Sequence, residues 1–262
     1  MHQRKKSNID SNKQDKIWKF KRQKKPRLFN SLIYKITKYL PFSRPTKFML
    51  FSEMSWFFRR MAFENANFDD ARTKYIPWIR KNKFIIDRLE LHHSVADLGC
   101  GEGEFARSIA SHVNSVIGVD YDDKVLALAE TLTHESNISY SNRDIFSLLA
   151  ESSLQCDVAI CSHIVEHLDE PIDFLKRCKE HFKLIFFEVP DSDQEEHTFL
   201  RELNGLDPLY SDDDHIWEFK RSDVHQIFKD LQLEILEQEY INGAMRFWLK
   251  SQHSAGDFQA KL

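Results

Sequence analysis

No apolar run in the 262 residues approaches the ~20 consecutive positions that a membrane-spanning helix needs, so no helical span is expected. Nothing apolar follows the basic opening Met1-His-Gln-Arg-Lys-Lys6 closely enough to resemble a secretory signal. Cysteine is sparse, and Cys100, Cys156, Cys161 and Cys178 form no C-x-x-C pair. They read as reduced thiols of a cytoplasmic protein without structural zinc. Acidic residues are nearly missing from the first fifty positions, which hold 15 Lys and Arg against 2 Asp and Glu, leaving 22 against 39 for the rest. The overall charge of −4 therefore conceals a basic arm on an acidic body. A hydrophobic share of 42% and a charged share of 30% suit a globular chain with one sizeable core and an appended helical segment.

Glycine is scarce as well, yet three of the seven fall within five positions, in Ser94-Val-Ala-Asp-Leu-Gly-Cys-Gly-Glu-Gly-Glu-Phe-Ala-Arg107. The pattern reads as a strand, a tight loop and a helix start. Without a Cβ, Gly99, Gly101 and Gly103 can take positive φ and let backbone approach a bound molecule. Two phosphate-binding readings weaken here. A dinucleotide fingerprint wants its third glycine one place later, at Glu104, and no Gly-Lys-Ser/Thr is present. A second strand, Ser115 to Val119, ends at Asp120, about twenty residues on, where a carboxylate can accept both ribose hydroxyls. Asp97 and Glu102 add negative charge that would repel pyrophosphate but suit a sulfonium or ammonium.

These residues resemble the first motif and the spaced acid of the class I S-adenosylmethionine (SAM) dependent methyltransferases, a likeness extending over roughly residues 93–250. The resemblance implies SAM as cofactor. It also implies a cofactor-binding set of Asp97, Gly99, Cys100, Gly101, Asp120, Tyr121, Asp144, Ile145 and Ser162. Within that set, Asp144 would receive the adenine amino group and Ile145 would pack on the ring. Asp144 also reads simply as a helix cap.

The rest of the chain fits that frame. Strands are expected near 94–98, 115–119, 138–141, 157–162 and 183–189, separated by helices near 103–112, 122–133, 145–152 and 169–181. Alternation of this kind implies an α/β, Rossmann-like, doubly wound and mostly parallel sheet. Ser222 and Asp223 look like a cap for a helix over 223–231. A hairpin through Asn242-Gly243 then joins strands near 233–241 and 245–251, giving seven strands with an antiparallel terminal one. The domains expected are a basic arm over 1–45, a helical lid over 46–92, a SAM-binding core over 93–252 with a substrate-side insertion at 192–221, and a tail over 253–262. Within the arm, Leu28 to Leu40 forms an amphipathic basic helix that suits an anionic membrane surface, RNA, or docking on the body. Pro41 and Pro45 close it. The aromatics of 46–92 read as core-edge packing, and the resemblance makes Tyr75 and Trp78 candidates for the lid.

Chemistry is expected where the fourth strand runs into His163-Ile-Val-Glu166-His167. If the chain turns helical at Ser162, then His163, Glu166 and His167 share one face, as a base, as metal ligands or as a structural set. Methyl transfer from a sulfonium asks the protein to align the acceptor and take its proton, a task suited to His163 or His167. His215 lies farther along, in a stretch similar to one in small-RNA 2′-O-methyltransferases, which pair Glu-x-x-Glu-His with a later metal-binding histidine. Ubiquinone-pathway O-methyltransferases share a comparable motif. Here His163 replaces the first glutamate, and a nitrogen-rich His163/Glu166/His167/His215 site would favour a transition metal over Mg²⁺. The expected activity is O-methylation of a small metabolite, sugar or lipid-linked glycan, in the cytoplasm or at the inner membrane face. An RNA acceptor ranks second because the body is acidic, and a non-catalytic scaffold ranks third. A dehydrogenase fails on glycine spacing.

Overall fold

The computed structural model describes residues 28–65, 83–151, 154–194 and 196–252. The arm before Leu28, the lid candidates Tyr75 and Trp78, and the tail from 253 lie outside these residues. Two compact units divide between Ser52 and Glu53. The first contains α1 (Leu28–Lys38), with no acid in its first turn and Lys35 and Lys38 in its last, a distribution that opposes the negative end of the helix dipole. It also contains the start of α2 (Arg44–Glu64). Ser43 opens α2 by accepting the Thr46 N–H at 3.3 Å, and Pro45 sits in the first turn, where its missing N–H costs nothing. Pro45 therefore starts a helix as well as ending the preceding segment.

In the second unit, β1 (Ser94–Leu98), α3 (Glu104–Ile109), β2 (Ser115–Asp120), α4 (Asp123–Leu132), β3 (Ile138–Asn142), α5 (Ile145–Ala150) and β4 (Val158–Ser162) alternate as anticipated. They are followed by α6 (Pro171–His181), β5 (Leu184–Pro190), α7 (Glu196–Leu203), α8 (Arg221–Asp230), β6 (Leu233–Ile241) and β7 (Ala244–Ser251). The seven strands form one sheet in the order β3-β2-β1-β4-β5-β7-β6. β1 pairs in parallel with both β2 and β4, so the strand order reverses direction at β1/β4 and opens the crevice where ligands of such sheets bind. β7 runs antiparallel to β5 and β6. The β6–β7 turn is tight because Asn242 and Gly243 both take positive φ, 54° and 80°.

Strands buried on both faces alternate their side chains between two apolar layers. Val158 and Ile160 join Phe105, Ile109 and Trp248 on one face. Ala159 and Cys161 join Phe174, Phe187, Phe228 and Phe247 on the other.

Two local expectations are corrected. No α-helix starts at Ser162: His163 takes a left-handed φ of 52°, and a single 3₁₀ turn, Val165–His167, follows. At α8 the N-cap is Lys220 rather than Ser222. Asp223 lies in the first turn and accepts the Lys220 N–H at 3.0 Å, because the carboxylate is one turn in and can reach back.

Candidate active site

The glycine loop leaves β1 with Gly99, Gly101 and Gly103 all at positive φ, between 51° and 74°. Gly99 and Cys100 donate their N–H groups to the Val119 carbonyl, at 2.8 and 3.0 Å, which pins the loop to the end of β2. Each glycine has its own reason. A Cβ on Gly99 would stand 2.5 Å from Ile164 Cδ1, and one on Gly103 would collide with the Tyr140 hydroxyl. A Cβ on Gly101 would meet nothing within 4 Å among the described residues, so space opens there beside that residue. Asp120, at the β2 terminus, is fixed by the Gly101 N–H (2.9 Å) and the Asp122 N–H (3.0 Å), one on each oxygen. Tyr121 is exposed, Cys100 is buried with its thiol pKa pushed up chiefly by burial, and Asp97 is buried in β1. Asp144 caps α5 by accepting the Ser147 N–H at 2.8 Å, and the buried Ile145 follows it.

Ile164 brings the turn after β4 against this loop. Glu166 is completely buried. Its Oε1 accepts from His163 Nδ1 at 3.0 Å, while Oε2 is enclosed with no hydrogen-bond partner among the described residues. Its carbonyl accepts the N–H groups of Ile216 (2.9 Å) and Trp217 (3.1 Å), so the segment after α7 is stitched to the turn. That stitch brings His215 to His167, with ring centroids 4.8 Å apart and nearly perpendicular. One ligand atom from each of Glu166, His167 and His215 lies within 4.8 Å of the others. His163 touches Glu166 but is not in that group, nor in the second acidic one, Asp212/Asp214/His215.

The imidazoles differ in what their nitrogens face. His167 Nδ1 lies 3.2 Å from the Asp214 carbonyl, an acceptor only, so Nδ1 is the donor of that pair. His215 Nδ1 lies 3.2 Å from Glu218 Oε1 and 3.1 Å from Ser211 Oγ. Burial disfavours the His215 cation, but the Glu218 hydrogen bond and the charges of Glu166, Glu218 and Asp212 outweigh it and raise the pKa. Glu218 shifts the other way: burial is overcome by His215 and by both Ser211 donors, which lower its pKa. His163 has a carboxylate at each nitrogen, Glu166 at Nδ1 and Glu188 Oε1 3.5 Å from Nε2.

Glu188 was not singled out from the sequence. It is buried in β5, where Oε2 accepts from Ser162 Oγ (3.0 Å), Oε1 from Arg246 Nε (3.2 Å), and its carbonyl from the His163 N–H (2.9 Å). Arg246 reaches on to Glu239 at 3.0 Å. The only sequence signal was one acid inside the apolar run Leu184-Ile-Phe-Phe-Glu-Val189. The segment carrying His215 is also held by the C-terminal half of α2, through Trp56 Nε1 to the Tyr210 carbonyl, Arg60 to Asp212 and Asp213, and Glu53 to Arg201 at 2.9 Å.

Residues 59–238 match a family model described as a methyltransferase domain. The chain belongs to this family. It is a SAM-dependent methyltransferase of class I, with the sheet that class is built on. Among curated relatives, the ubiquinone biosynthesis O-methyltransferase of Nitrosospira multiformis is 26% identical over 140 residues, which is 50% of this chain and 59% of that one. The protein of the same name from Nitrosomonas europaea is 32% identical over 87 residues, 32% of this chain and 37% of that one. The chain thus spans between a third and three fifths of these relatives. Of solved structures, magnesium protoporphyrin IX methyltransferase from Synechocystis with bound SAH shares the fold, with a TM-score of 0.54 at 14% identity over 80% of this methyltransferase and all of that chain.

Proposed function

We propose that this methyltransferase transfers the methyl group of SAM to a hydroxyl of a small metabolite, a sugar or a lipid-linked glycan. The observation that carries it is the convergence of Glu166, His167 and His215 beyond the end of β4, on the turn whose Ile164 packs at the glycine loop. Gly99, Cys100 and Gly101 supply backbone to the cofactor's amino-acid end, and Asp97 supplies negative charge near the sulfonium. Asp120 takes the ribose hydroxyls with Tyr121 beside it, Asp144 and Ile145 take the adenine, and Ser162 borders the methyl. The core spans 93–252, with 192–221 on the acceptor side, 46–92 forming a lid and 1–45 a basic arm.

The methyl group is already activated by its sulfonium. The protein's work is therefore to align an oxygen for in-line attack and to receive its proton. His167 suits that proton, because its bond to the Asp214 carbonyl engages Nδ1 as a donor and leaves Nε2 for the role of base. His163, with Glu166 at Nδ1 and Glu188 beside Nε2, sits between the two carboxylates and braces the turn.

A second reading has one observation in its favour: Glu166 Oε2 is buried next to two imidazoles with no hydrogen-bond partner among the described residues. That donor set fits a divalent transition metal, held by Glu166, His167 and His215. Bound there, the ion would acidify the acceptor hydroxyl. Glu218 and Asp214, engaging the Nδ1 atoms, would orient both rings.

Calorimetric titration with S-adenosylhomocysteine, with NADH as control, tests the cofactor site. Micromolar binding that falls at least about tenfold in Asp120→Ala is expected, since two hydrogen bonds to a charged acceptor are lost. Unchanged affinity in that variant refutes the ribose assignment. Equilibrium dialysis against Mn²⁺ and Zn²⁺ decides the second reading: uptake abolished by Glu166→Ala supports it, and no uptake by the wild type removes it.

A further inference from the structure

We propose that the C-terminal half of α2 is a lipid-seated helix. Its Met54, Phe57 and Phe58 side chains enter an anionic bilayer, while its other side holds the segment that carries His215.

A helix on the surface of a domain ordinarily turns its polar stripe to water. This one does not. Met54, Phe57 and Phe58 are 41%, 50% and 59% exposed, and the two phenylalanine rings stand edge to face at 5.6 Å. Three hydrogen-bonding side chains of the same turns reach the protein instead, Glu53 to Arg201 on α7, Trp56 to the Tyr210 carbonyl and Arg60 to Asp212 and Asp213, while Arg59 stays exposed beside the phenylalanines. A cluster of large apolar side chains left in water, with a cationic side chain beside it, marks a surface with a partner. On α7, Phe199 and Leu203 are 64% and 70% exposed, adding apolar surface on the element that Glu53 grips.

Charge selects the partner. The fifty residues that lead into this stretch hold 15 Lys and Arg against 2 Asp and Glu. A short apolar wedge alone gives weak membrane binding, and adjoining basic residues supply the second attraction, to anionic headgroups. A second copy of the chain is disfavoured on the same count, since pairing would bring two strongly cationic arms together. The link to His215 has a function: a bilayer-borne acceptor meets the site at the face where the helix is seated, and seating steadies Tyr210 to Asp213. That link rests on the acceptor-site reading above, whereas the seating itself rests on α2 alone.

The test is flotation of the full chain with vesicles of phosphatidylglycerol and phosphatidylcholine, and with phosphatidylcholine alone. The wild type is expected to float with the anionic vesicles only, and Phe57→Ser/Phe58→Ser to lose at least about tenfold in partitioning. The double variant should keep the thermal midpoint of the wild type, which shows that it is folded. Amide hydrogen exchange over 209–218 should slow on anionic vesicles in the wild type but not in Arg60→Ala, which still floats. Equal flotation of the wild type and the double variant, no flotation of either, or equal flotation on neutral vesicles overturns the seating. So does a dimer in vesicle-free solution that the double variant makes monomeric. Unchanged exchange overturns the link alone, and loss of cofactor binding by the wild type counts against the functional reading, not the seating.

Discussion

Gly101 and Gly103 are two positions apart, share positive φ, and should fail in different ways when each is replaced by alanine. At Gly101 the φ is 51° and the new methyl meets nothing within 4 Å among the described residues, so the stability cost is the backbone strain of an L-residue in the left-handed region, about 1 kcal/mol. At Gly103 the φ is 69° and the methyl is driven into Tyr140, 2.7 Å from Cζ and 2.9 Å from Cε1. The tyrosine cannot move freely, because its hydroxyl is bonded to Thr133 Oγ1 at 2.8 Å and its ring lies over Gly118. Strain of about 1 kcal/mol is then joined by about 1 kcal/mol for the hydrogen bond and roughly 1–3 kcal/mol for overpacking. In a chain of this size that difference separates the two variants by roughly 5–15 °C in thermal midpoint. Cofactor affinity should rank them the other way. The Gly101 methyl occupies the open space beside the N–H that holds Asp120, so S-adenosylhomocysteine binding should weaken at least about tenfold in a protein that is nearly as stable as the wild type. Thermal melts and calorimetry on the two purified variants give both rankings. Equal melting of the two refutes the role of Tyr140 as the packing beneath the loop. Unaltered affinity in Gly101→Ala refutes the loop as the cofactor's cradle.

Removing Glu188 as Glu188→Ala strands the buried Arg246 guanidinium with Glu239 as its remaining carboxylate, and should cost about 3–5 kcal/mol in urea unfolding, with Glu188→Gln costing less. A smaller loss for the alanine than for the glutamine contradicts the pairing. Asp157 ties the start of β1 to that of β5. Burial works against its charge, but the Ser94 N–H (3.1 Å), the Ser94 hydroxyl (2.8 Å) and Lys183 bring its pKa down to about 2. A carboxylate with a depressed folded pKa stabilises above its unfolded value of ~3.9, and that contribution disappears as pH falls toward about 2. Asp157→Asn should therefore be about 1 kcal/mol less stable near neutrality, with the gap closing through the acid range. A gap that persists into strong acid assigns the effect to hydrogen bonding alone.

The sequence by itself determined the sheet, the glycine loop and the terminal hairpin. Each is written in short-range chemistry: apolar runs of strand length, three glycines where backbone must turn left-handed, an Asn-Gly pair that fits a two-residue turn. Placement of Asp120 and Asp144 at strand ends followed from the same alternation. Only the tertiary structure decided the turn after β4. A helical spacing can be counted for His163, Glu166 and His167, but the His163 N–H is claimed by the Glu188 carbonyl of the neighbouring strand, and the chain turns left-handed there. Register likewise lines Ser162, Glu188, Arg246 and Glu239 across four strands, a row no local pattern announces because its members come from distant parts of the chain. The burial of Glu166 was equally invisible, and the meeting of His215 with it was expected from resemblance alone, since the backbone hydrogen bonds that join the two segments span fifty residues. Periodicity fixes which residues share an element. Which elements meet, and with what charge between them, is settled only when burial and hydrogen bonding are satisfied for the whole chain at once.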